Sequence, residues 1–255
     1  VHQDVDGAEP SRGRIDGTPI TVKVYGRDAS EGRLLESVWR LLWYRDRTSQ
    51  FIVGRHHQVE HEAFLTLLAA RSGVPVPAIL TAGATTAGDA ILVVSDPEAV
   101  EDATLAADDA TLDQLWTMLE QLHTCGLAHR RIDPTRLGRR GDGDIVLRDW
   151  GAATVAAPPD LRLHDQAQLL VTTALLAGSE GALAAMQRSL SDDEITALLP
   201  HLQETALGRT LRRHLNRADL DLDELRAGAA ALTTGDEPEL VQLRRVSWGS
   251  VLRLA

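Results

Sequence analysis

A chain of 255 residues with a formal charge of −11 is long enough to bury a substantial core, as one domain of two lobes or as two small domains. The acidic balance argues against general binding to nucleic acid or to a membrane surface, because both depend on clustered basic residues. The single cysteine, Cys125, excludes an intrachain disulfide and fits a reducing cytosolic setting, where we expect it to be a small buried residue.

The first hundred residues have the pattern of an α+β unit. Apolar and polar residues alternate in PITVKVYG at 19–26, as in a half-buried strand. Lys23 lies in the middle of that strand and is the only lysine of the chain, in which the other basic residues are arginines. Further predicted elements are helices over 30–46 and 57–72 and strands over 78–82 and 90–95.

After residue 108 the pattern becomes helical. A helix is predicted from Asp109, as its N-cap, to Gly126, where it stops. One short strand follows in DIVLRD at 144–149, and apolar spacing predicts helices through most of 160–232. The sequence therefore predicts a sheet-rich N-lobe at 1–96, a helical C-lobe at 97–235 and a tail at 236–255.

Five short motifs follow one another in an order that suggests phosphate chemistry. A strand lysine, Lys23 in VKV, precedes a helix glutamate, Glu62 in VEHEAFLTLLA, for which Glu60 is the alternative. The loop LAHRRIDPTRLGRR comes next, before DWG at Asp149 and HDQAQLL at Asp165. Phosphoryl transfer depends on charge placement, with a strand lysine on the nucleotide phosphates, a glutamate that holds this lysine, and an aspartate on the metal.

This order of motifs resembles the protein kinases over roughly residues 15 to 180. AHRRIDPTRLG resembles their catalytic loop, and DWG resembles their metal-binding D-F-G. More narrowly, HDQAQLLVTTALLAG and the terminal ELVQLRRVSWGSVLRLA resemble a kinase-like cytoplasmic domain of actinobacterial membrane proteins. In these proteins, of the lysylphosphatidylglycerol synthase or flippase-like family, that domain precedes the membrane region.

The resemblance implies a bilobal protein-kinase-like fold in which Lys23, Glu62 and Asp149 bind a nucleotide. ATP or another nucleotide, with or without Mg²⁺ at Asp149, would be the ligand, and a chain without any ligand is the alternative. Asp165 would brace the catalytic loop from the following helix. The resemblance also implies the cytoplasmic face of the cell membrane, with the membrane-embedded portion of the same polypeptide as partner. It does not specify a further protein partner, and the acidic charge excludes nucleic acid as a general partner.

Two arginines depart from the kinase pattern at its catalytic positions. Arg131 stands where the catalytic aspartate is expected, and Arg136 stands where the metal-binding asparagine is expected. A guanidinium has no lone pair that accepts a proton, so Arg131 cannot act as a base. Mg²⁺ requires oxygen ligands, so Arg136 removes at least one metal ligand. Either arginine could instead pair with Asp149 or bind phosphate directly.

Two flanking segments also depart from the pattern. The stretch between Asp149 and Asp165 is too short for a full activation segment with its peptide platform, which disfavours a protein substrate. The glycines before the strand lysine do not form the G-x-G-x-x-G of a phosphate-covering loop.

The C-terminal LRRVSWGSVLRLA has the composition of the cytoplasmic border of a membrane span. Two arginines and a tryptophan precede apolar residues, but the stretch is too short to cross a bilayer of about 30 Å. If a span follows in a longer protein, the arginines favour the cytosolic side for this domain.

Three hypotheses follow for the function. The leading one is a catalytically impaired kinase-like domain, a pseudokinase, that is a regulatory, nucleotide-sensing or docking module of a larger membrane protein. The second is an active but atypical ATP-dependent phosphotransferase that acts on a small molecule or a lipid head group. The third is an interaction scaffold with a collapsed cleft, in which Arg131 and Asp149 neutralise each other.

Overall fold

The computed structural model describes residues 8–15, 18–25, 54–85, 89–95, 98–99, 107–140 and 143–233. These residues form a mixed α and β structure, which confirms the α+β class. An antiparallel sheet lies in the N-terminal part and most helices follow it. The helix predicted over 30–46 and the tail at 236–255 lie outside the described residues.

The strands and helices are numbered in chain order. The strands are β1 Ala8–Ile15, β2 Thr18–Tyr25, β3 Ile79–Ala84, β4 Ala90–Ser95, β5 Glu98–Ala99, β6 Leu137–Arg139 and β7 Ile145–Leu147. The α-helices are α1 Arg55–Arg71, α2 Asp109–Thr124, α3 Pro159–Ser189, α4 Asp192–Leu198, α5 Arg209–Ala218 and α6 Leu222–Ala231.

The chain divides into two compact units, the first of which holds residues up to Ala63 together with Ile79–Ser95. Its sheet is antiparallel throughout, in the order β1-β2-β4-β3. A small apolar cluster lies between this sheet and the first part of α1, and its buried members are Tyr25, Val59, Ala90 and Leu92. Lys23 lies two residues before the end of β2, where it is paired with Leu92 in the register.

The second unit holds Phe64–Ala78 and Asp96–Val241, and it contains the main apolar core. Here α2 packs against α3, and α3 also contacts α4, α5 and α6. Leucines at helical spacing on α2 are fully buried: Leu112, Leu115, Leu119 and Leu122. Strands β5, β6 and β7 form a second antiparallel sheet.

The ends of α2 correct two predictions. Asp108, and not Asp109, is the N-cap, because the Asp108 carboxylate accepts a hydrogen bond of 2.9 Å from the backbone N–H of Thr111. Gly126 follows the helix with a φ of 74°, as a stop signal requires. Cys125 is exposed and not buried, because it is the C-cap, where the chain leaves the helix face that packs on the core.

Three strands were absent from the sequence prediction: β1, β6 and β5, which has only two residues. β1 pairs with β2 along eight residues, although its sequence AEPSRGRI lacks the alternation that predicts a strand. Residues 11–14 of β1 are exposed, so this edge strand forms through backbone pairing and not through burial of side chains. β6 has three residues, too few for a recognisable period.

Among the described residues, α3 is the one helix that is long and apolar enough to cross a membrane. Half of its most apolar window is buried, and its kink at Gly178 divides it into two helical segments. Asp165 and Thr172 of this helix are fully buried and hydrogen-bonded to the preceding loop, as the central helix of a folded unit requires.

Candidate functional site

The first unit contains a candidate ligand-binding ion pair. Lys23 Nζ lies 2.6 Å from Glu62 Oε1, and the Tyr25 hydroxyl donates to Glu62 Oε2. Lys23 and Tyr25 are two residues apart in β2, so both side chains leave the strand on the same face and reach one carboxylate on α1. The contact between Lys23 and Glu62 that the sequence predicts is therefore present.

The burial of the two acids distinguishes Glu62 from Glu60. Glu62 is 3% exposed, whereas the Glu60 side chain is 71% exposed and lies 3.5 Å from His57 Nδ1. A buried carboxylate is costly unless it is paired, and here an ammonium and a phenol hydroxyl satisfy it. Glu62 thus fixes the position of the lysine ammonium, which is the arrangement that a phosphate-binding lysine needs.

A separate set of candidate residues lies in the loop that follows α2 in the second unit. Asp165 on α3 is fully buried, and its two carboxylate oxygens accept hydrogen bonds of 2.7 Å from the backbone N–H groups of His129 and Arg130. One turn further along α3, Gln168 accepts from the N–H of Ile132 at 2.7 Å and donates to the Arg130 carbonyl at 3.2 Å. The bracing by Asp165 that the resemblance implies is confirmed.

The brace holds a strained backbone conformation. Arg130 has a φ of 69°, in the left-handed region that non-glycine residues rarely adopt. Such a conformation persists where surrounding contacts determine it, and here the N–H and the carbonyl of Arg130 are both bonded to α3. The helix therefore specifies the path of the loop through Arg130 and on towards Arg131.

His129 is a scaffold residue, as its position in the motif predicts. Its Nε2 lies 3.0 Å from the Arg148 carbonyl oxygen, which can only accept, so Nε2 carries the proton. The ring packs edge-on against Trp150 with a centroid distance of 5.0 Å. Burial lowers the pKa of His129, so the neutral imidazole is the stable form.

Arg136 joins the two acids of this loop region. It lies in a short 3₁₀-helix, Pro134–Arg136, and is 6% exposed. Its Nη1 donates to Asp133 Oδ2, and its Nε donates to Asp149 Oδ2 at 3.1 Å. Of the two pairings with Asp149 that the sequence leaves open for Arg131 and Arg136, the one with Arg136 is present.

Asp149 is held differently from a metal ligand. It has a φ of 67°, its side chain is 26% exposed, and it shares its Oδ2 with the Arg136 guanidinium. A kinase-type magnesium site needs a second oxygen ligand at the position that Arg136 occupies. The residues present therefore do not fit that site. No group of three or more His, Cys, Asp or Glu in the described part of the chain is arranged to share a metal ion.

Arg131, which the sequence motif aligns with a catalytic aspartate, is half-buried. The nearest acid in the sequence, Asp133, is 4% exposed, and its carboxylate accepts from Arg136 and from the backbone N–H of Thr135. Asp133 is therefore engaged in fixing the loop and is poorly placed to take a proton from a substrate hydroxyl.

Sequence reasoning missed three residues that form these contacts. Asp133 was recognisable from its spacing to Arg136, because an acid and an arginine three residues apart can pair across one turn. Tyr25 was recognisable from its place two residues after Lys23 on the same strand face. Gln168, three residues after Asp165, lies on the same face of α3 and follows the same rule.

The segment after Asp149 is short. A 3₁₀ turn at Trp150–Ala152 leads to Thr154, which pairs with Ala128 through two backbone hydrogen bonds, and α3 begins at Pro159. The Ala157 N–H also bonds to the Gly126 carbonyl. This segment is thus a tied connection without room for a peptide platform.

Known proteins give no family assignment for this chain. No protein-family model matches it, and no curated protein matches it. The resemblance to protein kinases therefore depends on the motifs and on the contacts described above.

Proposed function

We propose that this chain is a catalytically impaired protein-kinase-like domain that acts as a regulatory, nucleotide-sensing or docking module of a larger membrane protein. The observation that supports this most is the buried Arg136 guanidinium between Asp133 and Asp149. A fixed side-chain cation stands where the kinase pattern requires an oxygen ligand for a metal. It neutralises Asp149 without providing the coordination that phosphoryl transfer uses.

The loss of the proton acceptor supports the same proposal. Arg131 cannot accept a proton, and Asp133 is held by Arg136. The alternative scaffold, in which Arg131 and Asp149 neutralise each other, needs no nucleotide. The ion pair of Arg136 with Asp149 supports neutralisation of that aspartate in either case.

The pair of Lys23 with Glu62 supports a retained ligand site. A buried ion pair is often no more stabilising than apolar residues of the same volume, so stability alone does not explain its presence. A lysine held rigidly by a buried glutamate suits the phosphates of ATP or another nucleotide. Lys23 and Glu62 are the proposed cofactor-binding residues, and the proposed binding does not depend on Mg²⁺.

The membrane context of the proposal comes from the terminal sequence. Arg244, Arg245 and Trp248 precede apolar residues, as at the cytoplasmic border of a membrane span. We place the domain on the cytosolic face, with a membrane-embedded portion of the same polypeptide as its partner.

Thermal melting with ATP tests the proposal. ATP at a hundredfold excess over its dissociation constant adds about 2.7 kcal/mol to the free energy of unfolding. We expect the same rise in Tm with MgCl₂ and with EDTA, and no phosphate transfer to any acceptor. Lys23→Met should remove the rise, whereas Arg12→Met, which removes a charge from the neighbouring strand, should keep it.

The outcomes separate the three functions. Stabilisation that requires Mg²⁺, together with turnover, would favour the atypical phosphotransferase, for which the short connection from Asp149 to Pro159 suits a small or lipid-headgroup acceptor. No change in Tm at any nucleotide concentration would leave the interaction scaffold. An undiminished rise in Tm for Lys23→Met would show that the nucleotide binds elsewhere.

A further inference from the structure

Helix α5 has an outer face made of arginines. Arg209, Arg212, Arg213 and Arg217 follow the helical repeat at i, i+3, i+4 and i+8, and all four are exposed. The opposite face packs Leu211 and Leu215 into the core of the second unit. Three of the arginines and Asn216 line a surface hollow of about 330 Å³. The arginines extend over about 12 Å of helix.

Among the residues that the structure describes, no acid balances these four charges. Within the described ranges, no carboxylate lies within 4.0 Å of any of the four guanidinium groups. Arg213 has only a marginal hydrogen bond of 3.5 Å to the Thr210 hydroxyl. Glu204 borders the same hollow without forming an ion pair. The face therefore presents strong positive charge in a protein whose formal charge is −11.

The arrangement also opposes the local rules of helix stability. Like charges four residues apart repel one another, as at Arg209 with Arg213 and at Arg213 with Arg217. Arg209 lies in the first turn, where the helix dipole disfavours a cation, and Gly208 provides no side-chain cap. By contrast, α4 begins with a Ser191 capping box and three acids. A helix that departs from rules its neighbours follow is expected at a functional surface.

We propose that the arginine face of α5, formed by Arg209, Arg212, Arg213 and Arg217, docks onto the anionic phospholipid surface of the membrane. Guanidinium groups bind phosphate oxygens through paired hydrogen bonds, and four of them suit a dense array of lipid phosphates. The face has no apolar side chain to insert, so the contact is peripheral and electrostatic. Because the rest of the chain is acidic, this face determines which side of the domain meets the membrane.

This inference rests on the proposed place of the domain beside a membrane, but its test does not depend on nucleotide. The full chain is sedimented with vesicles of phosphatidylglycerol and phosphatidylcholine, and with vesicles of phosphatidylcholine alone. We expect binding to the anionic vesicles only, and we expect it to weaken steeply as salt is raised towards about 0.15 M.

Variants of the four arginines make the test specific. Replacement of all four by Gln should weaken vesicle binding at least about a hundredfold, since each arginine near the surface contributes about fivefold. Replacement of all four by Lys keeps the charge and should keep most of the binding. Arg71→Gln, at the exposed end of α1, is the single-residue control with which the vesicle binding of Arg213→Gln is compared. The Gln variant should melt no lower than the parent chain, because it loses repulsion and no ion pair.

Three results would contradict the inference: vesicle binding through the tail alone, binding to DNA instead of vesicles, and self-association through α5. If Arg244→Gln with Arg245→Gln abolishes vesicle binding and the Gln variant of α5 does not, the tail alone binds lipid, and the inference is wrong while the proposed function stands. Binding to duplex DNA without binding to vesicles would overturn the inference, as would self-association that the α5 Gln variant abolishes. If ATP does not raise the Tm but vesicle binding still depends on the α5 arginines, only the nucleotide proposal is contradicted.

Discussion

Asp165 is a buried carboxylate whose charge is balanced mainly by backbone N–H groups. It accepts from two consecutive amides of the loop, and His123 Nε2 lies 3.4 Å from its Oδ2. Hydrogen bonds to an ionised group are stronger than those between neutral groups, and removing one partner leaves the others buried and unsatisfied. This single side chain therefore couples the loop conformation to α3.

Asp165→Ala should destabilise the chain by about 3 kcal/mol or more, because two buried N–H groups lose their acceptor. Asp165→Asn should destabilise the chain less, since its amide keeps one oxygen that accepts a hydrogen bond. Urea unfolding at neutral pH measures both. Asp113→Ala is the control, since Asp113 pairs with Arg188 on the surface and its loss should have little effect. Equal midpoints for Asp165→Ala and Asp113→Ala would contradict the bracing role.

Arg136→Asn tests whether the arginine replaces a metal. The variant leaves Asp133 and Asp149 without their shared cation and should lose about 3 kcal/mol of stability. It also restores an oxygen ligand beside Asp149, so MgCl₂ should raise the Tm of the variant and leave that of the parent chain unchanged. Arg136→Met, which removes the charge without supplying a ligand, is the control and should not respond. A magnesium response in the parent chain would contradict this account.

At this scale the sequence predicted the residues that lie on regular elements. Lys23 and Glu62 lie on a strand and a helix whose periods fix the direction of each side chain, whereas the role of Asp165 was predicted from the motif resemblance. Asp133 and Arg136 lie in a loop, where no period predicts that the Arg136 guanidinium contacts both Asp133 and Asp149. The pairing of Arg136 depends on the 3₁₀ turn that only the structure shows.

Among the elements, α3 holds the loop through hydrogen bonds, packs in the core and is kinked at Gly178. Gly178 has a φ of 81° and a ψ of 163°, and the helical segments on either side of it meet there. Asp165 and Gln168 precede the kink, and Ala182, Ala185 and Met186 after it are fully buried. The kink therefore lets one continuous element support the loop and then follow the core.

Two glycines three residues apart in α3 give opposite predictions. Gly181 lies in helical backbone, and an added Cβ would lie 3.5 Å from Ala177 Cβ, an ordinary contact, so Gly181→Ala should stabilise by about 0.5–1 kcal/mol. Gly178→Ala forces a conformation that is essentially restricted to glycine and should destabilise by about 1–3 kcal/mol. Thermal or urea unfolding of both variants checks the signs. The same sign for both would show that the kink is not a fixed feature.

The elements differ in how well the sequence predicted them, for a physical reason. The helices α1 and α2 and the strand β4 lie close to the predicted bounds, because each has an apolar face and a glycine or proline near one end. β3 is mostly exposed, and Pro77 lies just before it. β1 lacks that face and forms by pairing its backbone with β2. Backbone pairing leaves little trace in the order of polar and apolar residues.

At the scale of the whole molecule, two buried histidines link stability to pH. Burial lowers the pKa of His129, although the nearby Asp165 opposes the shift. Burial also lowers the pKa of His201, with a further contribution from His164, whose ring centroid is 5.1 Å away. His129 Nδ1 is buried with no hydrogen-bond partner in the structure described, so a proton added there would gain no acceptor. Folding therefore favours the neutral form of both rings.

The free energy of unfolding should fall as the pH is lowered from about 7 to about 5.5. A histidine in the unfolded chain has a pKa of about 6.5, so below that pH the unfolded chain binds more protons than the folded chain. The free energy of unfolding therefore decreases by up to about 1.4 kcal/mol per pH unit for each histidine. The stability that the neutral rings contribute is complete above the pKa of the unfolded histidine. It is lost as the pH falls towards the lower pKa of the folded histidine. Urea unfolding across this range measures the slope, and His129→Asn should reduce it whatever its own stability. A slope that is the same in His129→Asn and the parent chain would show that His129 is not held neutral by its burial beside Trp150.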